Sequence, residues 1–210
     1  MSNGILEEAL RKLRIECSES RVKAFSLYLH MLRKWSRAYN LTSIVEERDI
    51  ILKHFIDSLS YLEAVPEGAK TLLDIGTGAG FPGVPMKIAR PDLKVFLIEP
   101  SRKKTAFLKN LIKTISLRDI YVIRCRLEDY PCGHKNVPEK FDIIVTRALY
   151  KVDEFLRRAS PFCNENGLMI ISKGPSCPEE MKRINDGKYN IFRPGLSEFG
   201  LDRHMVVIRH

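Results

Sequence analysis

Apolar residues recur at spacings of three and four along the first third of the chain. Val22, Phe25, Leu29 and Leu32 form one such stripe, and Trp35 continues it as a packing residue. This is the period of an amphipathic helix with one buried face. Ser20 is placed to cap its start. Ile51, Phe55, Ile56, Leu59 and Leu62 predict a second helix over Ile50–Leu62, and Val65-Pro66-Glu67-Gly68 breaks the pattern. Beyond Lys70 the rhythm changes. Short, nearly continuous apolar runs at Thr71–Ile75, Lys94–Glu99, Ile120–Arg124, Phe141–Thr146 and Leu168–Ser172 predict strands, and the stretches Arg102–Ile115 and Val152–Pro161 between them predict helices. Strands that alternate with helices imply right-handed crossovers and a doubly wound, mostly parallel sheet covered on both faces. Met205–Ile208 predicts a last strand, with Tyr189–Phe192 as its antiparallel partner. The expected organisation is an N-terminal helical extension over residues 1–65 and an α/β domain over residues 66–210.

Composition narrows the class. At 210 residues and 44% apolar, the chain is long enough for one domain with a core, or one domain and a small extension. No apolar run approaches the ~20 residues that cross a bilayer, and Met1–Lys12 lacks the basic-then-apolar pattern of a secretory leader. Cys17, Cys125, Cys132, Cys163 and Cys177 are odd in number and scattered, with no metal-site spacing. Free thiols suit a cytoplasmic protein without a structural metal. The net charge of +9 is unevenly spread: 10 basic against 9 acidic groups in residues 1–65, 14 against 8 in 66–140, and 11 against 9 in 141–210. The excess is centred on the middle third, so the near-neutral N-terminal third is expected to pack and shape a site more than to attract polyanions.

The richest local signal is Leu72-Leu73-Asp74-Ile75-Gly76-Thr77-Gly78-Ala79-Gly80-Phe81-Pro82-Gly83, a strand that runs into alternating glycines. Glycine lets the backbone turn sharply and approach a ligand closely, and the carboxyl edge of the first strand of an open sheet is where nucleotide-like ligands sit. Two ligand classes compete. Gly78 to Gly83 formally matches the dinucleotide fingerprint, but Pro82 and Pro85 fall where a pyrophosphate-binding helix should offer N–H groups. The alternative is the acidic glycine loop of S-adenosylmethionine-dependent methyltransferases, with Asp74 two residues before Gly76. An acidic strand end suits a sulfonium and an α-amino group better than a pyrophosphate, and this reading is favoured. Glu99, at the end of the second strand, is placed to accept from both ribose hydroxyls in either class. After the third strand, Arg126-Leu127-Glu128-Asp129 is placed to offer a backbone N–H and a carboxylate to an adenine ring.

The fourth strand ends in Thr146-Arg147-Ala148-Leu149. It lacks the Asn/Asp-Pro-Pro-aromatic motif of enzymes that methylate exocyclic amines. Pro131-Cys132 lies before that strand, in a loop, so it does not supply the nucleophile of pyrimidine-carbon methylation. No general base is evident, since His54, His134 and His204 are dispersed. The chemistry left needs no proton removed. A ring nitrogen with a free lone pair, such as guanine N7, attacks the methyl carbon in line, and catalysis reduces to positioning and electrostatics.

Tyr39-Asn40-Leu41-Thr42-Ser43-Ile44, Lys53-His54-Phe55-Ile56-Asp57-Ser58-Leu59, the glycine loop with Phe81-Pro82-Gly83, Arg102-Lys103-Lys104, Arg126-Leu127-Glu128, Thr146-Arg147-Ala148, Ser172-Lys173-Gly174 and Arg203-His204-Met205-Val206-Val207-Ile208 follow one another in an order and spacing that is highly specific. Over roughly residues 20 to 209 the chain resembles a bacterial family, the 16S ribosomal RNA guanine-N7 methyltransferases, formerly called glucose-inhibited division protein B. The resemblance implies a class I, Rossmann-like S-adenosylmethionine-dependent methyltransferase fold behind an N-terminal helical extension. It implies methylation of a guanine in the 530 loop of 16S rRNA, with S-adenosylhomocysteine as product and the rRNA or small ribosomal subunit as partner. Carried over motif by motif, cofactor contacts fall on Gly76, Phe81, Glu99, Leu127, Glu128 and Arg147, alongside Asp74 and Gly78 of the loop. Arg147 is the candidate catalytic residue, facing either the cofactor carboxylate or guanine O6. Two departures stand out. The family usually has Asp-Ser where Glu99-Pro100 stands, and Trp-Asn where Trp35-Ser36 stands.

Among the basic residues, Arg124, Arg126 and Lys173 lie near strand ends on the expected active-site side and are the candidate RNA-phosphate contacts. Lys109 and Lys113 read as a solvated helix face. RNA would then be read through a flipped or unpaired base rather than a groove. A monomer is expected.

Overall fold

The computed structural model describes residues 2–131, 137–147, 149–174, 177, 181, 189–195 and 199–210; Cys132, His134 and Ala148 lie outside them. Two helices open the chain, α1 (Ser2–Lys12) and α2 (Glu19–Tyr39). Ser18, not Ser20, caps α2: its Oγ accepts from Arg21 N at 3.4 Å, while Ser20 lies within the first turn. An N-cap oxygen must reach the N–H two or three residues ahead, which Ser18 does. Asn40 ends α2 in the left-handed region, φ 51°, with its N–H on Ser36 O. The predicted second helix is longer and less regular than its apolar spacing suggests. It comprises α3 (Glu47–Ile50), a π-helical turn (Ile51–Ile56), α4 (Asp57–Leu59) and a 3-10 turn (Ser60–Ala64). Widened π turns are often tied to functional sites. This one carries His54 and delivers Asp57 at its end.

The α/β part follows as β1 (Thr71–Ile75), α5 (Gly83–Ala89), β2 (Lys94–Ile98), α6 (Arg102–Thr114), β3 (Ile120–Ile123), β4 (Phe141–Arg147), α7 (Val152–Ala159), β5 (Cys163–Lys173), β6 (Tyr189–Phe192) and β7 (His204–Arg209). The strands form one sheet in the order β3-β2-β1-β4-β5-β7-β6. β1 to β5 are mutually parallel, and β7 pairs antiparallel with both β5 and β6. The doubly wound sheet with a C-terminal antiparallel strand is as expected. The order reverses between β1 and β4, and such switch points leave a crevice at the carboxyl ends of the strands. Register aligns those ends: Ile75 pairs with Ile98 on one side and Thr146 on the other. Gly76, Glu99 and Arg147 therefore follow directly on neighbouring strands.

Alternate strand residues face opposite ways, and both faces are covered. Leu72, Val95, Leu97, Ile143 and Ile170 join Phe25, Tyr28, Leu32, Phe55 and Phe107 in one cluster. Leu73, Ile75, Phe96, Ile98 and Ile144 join Val152 and Phe155 in the other. The N-terminal helices thus share a core with the sheet. Trp35 packs edge-on to Phe107, as expected of a packing residue.

Candidate active site

The loop after β1 is held by its own acid. Asp74 is fully buried, and its Oδ2 accepts from Thr77 Oγ1 at 2.6 Å and Gly83 N at 2.8 Å. Asp74 Oδ1 has no hydrogen-bond partner. Burial pushes the carboxyl up to about 7, against the lowering effects of Thr77, Gly83 and Arg147. Asp74 therefore shapes the loop from beneath rather than lining the cleft. Its carboxyl also occupies the first N–H of α5, and Pro82 and Pro85 bracket that position. No free helix N-terminus remains for a pyrophosphate, which removes the main structural support for the dinucleotide reading.

A pH effect on stability follows. The folded pKa is raised above the unfolded 3.8, so Asp74 stabilises most below about 4 and that contribution is lost as pH rises through about 7. Asp74→Asn is expected to flatten the fall in melting temperature between about pH 4 and pH 7. Parallel pH profiles for the two proteins would contradict this.

Positive φ angles at Gly76, Gly78 and Gly80 set the turn. At Gly80, φ is +107°, and a Cβ would lie 2.6 Å from Tyr28 Oη and 2.8 Å from Val84 Cγ2. Gly78 has φ +63° and open space around it. Gly80→Ala is expected to cost about 3 kcal/mol and Gly78→Ala about 1 kcal/mol in denaturant unfolding. Equal costs would show that crowding at Gly80 is not what matters.

Beside the loop is a cleft of about 420 Å³, bordered by Gly76, Glu99, Arg126, Leu127, Glu128 and Leu149 among others. Glu99 is 5% exposed; its Oε2 accepts from Gly78 N at 3.0 Å and its Oε1 from Ser101 N at 2.9 Å. A carboxylate offers about four lone-pair sites, so acceptor capacity remains for two vicinal hydroxyls. The Ser101 bond also shows that Pro100 removes no donor that Glu99 uses. Leu149 Cδ2 lies 2.5 Å from where a Gly76 Cβ would be, so only glycine admits a neighbour this close. Volume, acceptors and the glycine cradle fit an adenosyl ligand. Leu127 is buried on the cleft wall, and Glu128 is exposed and ion-paired to Arg158, which also holds Glu154.

Phe81 and Arg147 lie outside that cleft's lining and form a second cluster with residues from the N-terminal helices. Phe81 is buried, stacks on Tyr28 at 5.3 Å and on His54 at 4.5 Å, and has the Arg147 guanidinium over it at 5.0 Å. Arg147 NH1 donates to Lys53 O at 3.2 Å and to Asp57 Oδ2 at 3.3 Å, and NH2 donates to His54 Nδ1 at 3.1 Å. Asp57 is fully buried, and its Oδ1 accepts from Arg203 Nε at 3.0 Å. Arginine has no acceptor, so His54 Nδ1 supplies a lone pair and Nε2 carries the proton, 2.8 Å from Thr42 Oγ1. Burial, reinforced by Arg147, lowers the His54 pKa to about 3, so the ring is neutral near pH 7.

The sequence reading missed this clasp. His54 is not dispersed from the site but in contact with Arg147, and Asp57 is a member of it. Both stand in the Lys53–Leu59 motif, which was the available signal. Tyr28 and Tyr61 were also missed. Tyr28 Oη donates to Ala79 O at 2.6 Å, and Tyr61 Oη donates to Thr146 O at 2.8 Å while accepting from Ser172 N at 3.2 Å. These buried hydroxyls tie the helices to the glycine loop and to the ends of β4 and β5. Of the candidate RNA contacts, Arg124 and Arg126 are exposed after β3, and Arg126 borders the cleft. Lys173 Nζ donates to Tyr150 O at 2.6 Å. No group of three or more His, Cys, Asp or Glu suited to a metal occurs among the described residues. No described helix is long and apolar enough to cross a membrane.

A family model described as GidB, rRNA small subunit methyltransferase G, matches residues 21–190. A protein named ribosomal RNA small subunit methyltransferase G from Syntrophus aciditrophicus is 37% identical over 195 residues, covering 90% of this chain and 79% of that protein. One of the same name from Nitrosococcus oceani is 35% identical over 212 residues, covering 100% and 95%. Among solved structures, a SAM dependent methyltransferase from Aquifex aeolicus superposes with a TM-score of 0.55 at 17% identity, covering 77% of this chain and 92% of that one. The ribosomal protein L11 methylase from Lactobacillus delbrueckii also reaches 0.55, at 18% identity, covering 74% and 77%. At such identity the structural likeness establishes the fold, the class I methyltransferase fold.

Proposed function

We propose, for a chain that belongs to the rRNA small subunit methyltransferase G family, that it transfers the methyl group of S-adenosylmethionine to N7 of a guanine in the 530 loop of 16S rRNA. The observation that carries this reading is the juxtaposition at the β1/β4 switch point. A carboxylate placed for a ribose, Glu99 after β2, borders a glycine-walled cleft, and a clasped arginine, Arg147, ends β4 on the other side of β1. S-adenosylmethionine, when bound, supplies an electrophilic methyl on a sulfonium sulfur. Guanine N7 carries its own lone pair, so the protein has no proton to remove there, which agrees with a neutral His54 held as an acceptor for Arg147.

The chain's own groups then have separable tasks. Gly76, Gly78, Glu99, Leu127 and Glu128 hold the adenosyl part, while Asp74 keeps their loop in shape. Phe81 and Arg147 form the wall nearest the base, and the remaining guanidinium N–H groups of Arg147 are available to guanine O6. Arg124, Arg126 and Lys173 meet phosphates of the RNA at the rim. Residues 1–65 act as an extension that builds the wall behind Arg147, and residues 66–210 are the methyltransferase domain. The same reading has the protein act as a monomer in the cytoplasm. Incubation with methyl-labelled S-adenosylmethionine and undermethylated small subunits tests it. Label in 16S rRNA is expected, and label only on protein or small molecules would overturn it.

A further inference from the structure

We propose that the C-terminal half of α2 and the loop after it form a second contact for the RNA substrate, a cleft that takes a phosphate and its unpaired nucleotide. The inference rests on rRNA as substrate, but it places part of the recognition on the N-terminal helices, where overall charge gave no reason to look.

The cleft measures about 470 Å³, a size that suits one nucleotide, and is bordered by Arg33, Ser36, Arg37, Thr42, Val45 and Glu46 among others. Arg33 and Arg37 also border an adjoining depression of about 390 Å³ together with His30 and Lys34. From His30 to Tyr39 helix α2 contains no acidic residue. Arg33 is paired with Glu47 at 2.9 Å, whereas Lys34 and Arg37 are exposed and form no ion pair among the described residues. Glu46 is the only acid on the cleft wall. The near-neutral total of residues 1–65 thus hides a local basic face.

The wall carries unused donors as well as charge. Ser36 is only 8% exposed, lines the cleft, and its Oγ has no hydrogen-bond partner. Thr42 Oγ1 already accepts from Ile44 N at 3.1 Å and from His54 Nε2, so its own O–H is left to donate. The Thr42 hydroxyl beside two guanidinium groups, with the buried and unpartnered Ser36 Oγ behind them, matches an acceptor-rich anion, and Arg is well suited to phosphate. Val45, 64% exposed on the same wall, offers an apolar surface to a base. Phosphate recognition beside an apolar surface is how unpaired RNA is held. The cleft is joined to the active site through Thr42, His54 and Arg147, two hydrogen bonds in series. RNA seated there would lie two hydrogen bonds from Arg147.

The test is anisotropy titration of a fluorescent single-stranded RNA fragment against salt, run beside calorimetric binding of S-adenosylhomocysteine. The double variant Lys34→Ala/Arg37→Ala is expected to bind RNA about tenfold more weakly, with the salt slope reduced by about 0.7, the value for one lost phosphate contact. Its S-adenosylhomocysteine affinity should not change. Ser43→Trp, at an exposed position on the cleft, should weaken RNA binding while leaving the salt slope near wild type, because it fills space without removing charge. An unchanged RNA affinity and slope in the double variant would overturn the second contact and leave the proposed function standing. Failure of the wild type to bind this RNA at all would overturn the second contact, whereas the proposed function falls only if small subunits are not methylated.

Discussion

Arg147→Ala is expected to lower the rate of methyl transfer about 10²- to 10³-fold, the usual loss when one preorganised donor is removed from a reacting centre. Its far-ultraviolet spectrum should match wild type. The structure makes the prediction sharper than the sequence allowed. Arg147 stands away from the lining of the cleft beside Gly76 and over Phe81, fixed by Asp57, His54 and Lys53 O. If it serves the base rather than the cofactor, S-adenosylhomocysteine should bind the variant within about threefold of wild type while turnover collapses. Asp57 retains Arg203 as an ion-pair partner in that variant, so the fold should survive. Arg147→Lys should recover little, because a point charge does not reproduce the planar fork. Wild-type turnover in Arg147→Ala would remove it from the site. A parallel loss of cofactor affinity would reassign it to the cofactor carboxylate.

Glu99→Ala is expected to act on the opposite side of the ledger, weakening S-adenosylhomocysteine about 100-fold, or about 3 kcal/mol. The carboxylate holds Gly78 N and Ser101 N in place. Its removal strips those donors of their acceptor as well as any ribose hydroxyl of its partner. Glu99→Asp should fall between, since a shorter side chain cannot span both backbone donors. Calorimetric titration reads both variants. Unaltered affinity in Glu99→Ala would show that the cleft beside Gly76 is not where the adenosyl group binds.

How far the sequence carried these expectations depended on how local the signal was. Thr71–Ile75 and Tyr189–Phe192 form strands over the ranges their patterns predicted, because each is a short apolar or alternating run between turn residues. β5 begins at Cys163, earlier than predicted, since Asn164, Glu165 and Asn166 are polar and hide a stretch that pairs at Phe141 before a register shift. The π-helical turn was not legible, because an apolar stripe does not distinguish a regular helix from a widened one. The glycine loop and the place of Glu99 on the cleft beside it were legible because both lie within a few residues of a strand end. The clasp around Arg147 was not. Its partners are about 90 positions away in sequence, and no local pattern joins Asp57 to it before the chain folds. The buried tyrosines were hidden for another reason: Tyr28 sits next to Leu29 in an apolar helix stripe, where its hydroxyl leaves no trace in a hydrophobic pattern.

The most direct measurement of the central claim is identification of the methylated nucleoside. Small subunits from cells lacking the activity are incubated with the protein and methyl-labelled S-adenosylmethionine, and the rRNA is digested and resolved by mass spectrometry. The account predicts label in 7-methylguanosine within the 530 loop of 16S rRNA, absent with Arg147→Ala. Label in a different nucleoside, or in 7-methylguanosine elsewhere in the rRNA, would contradict it.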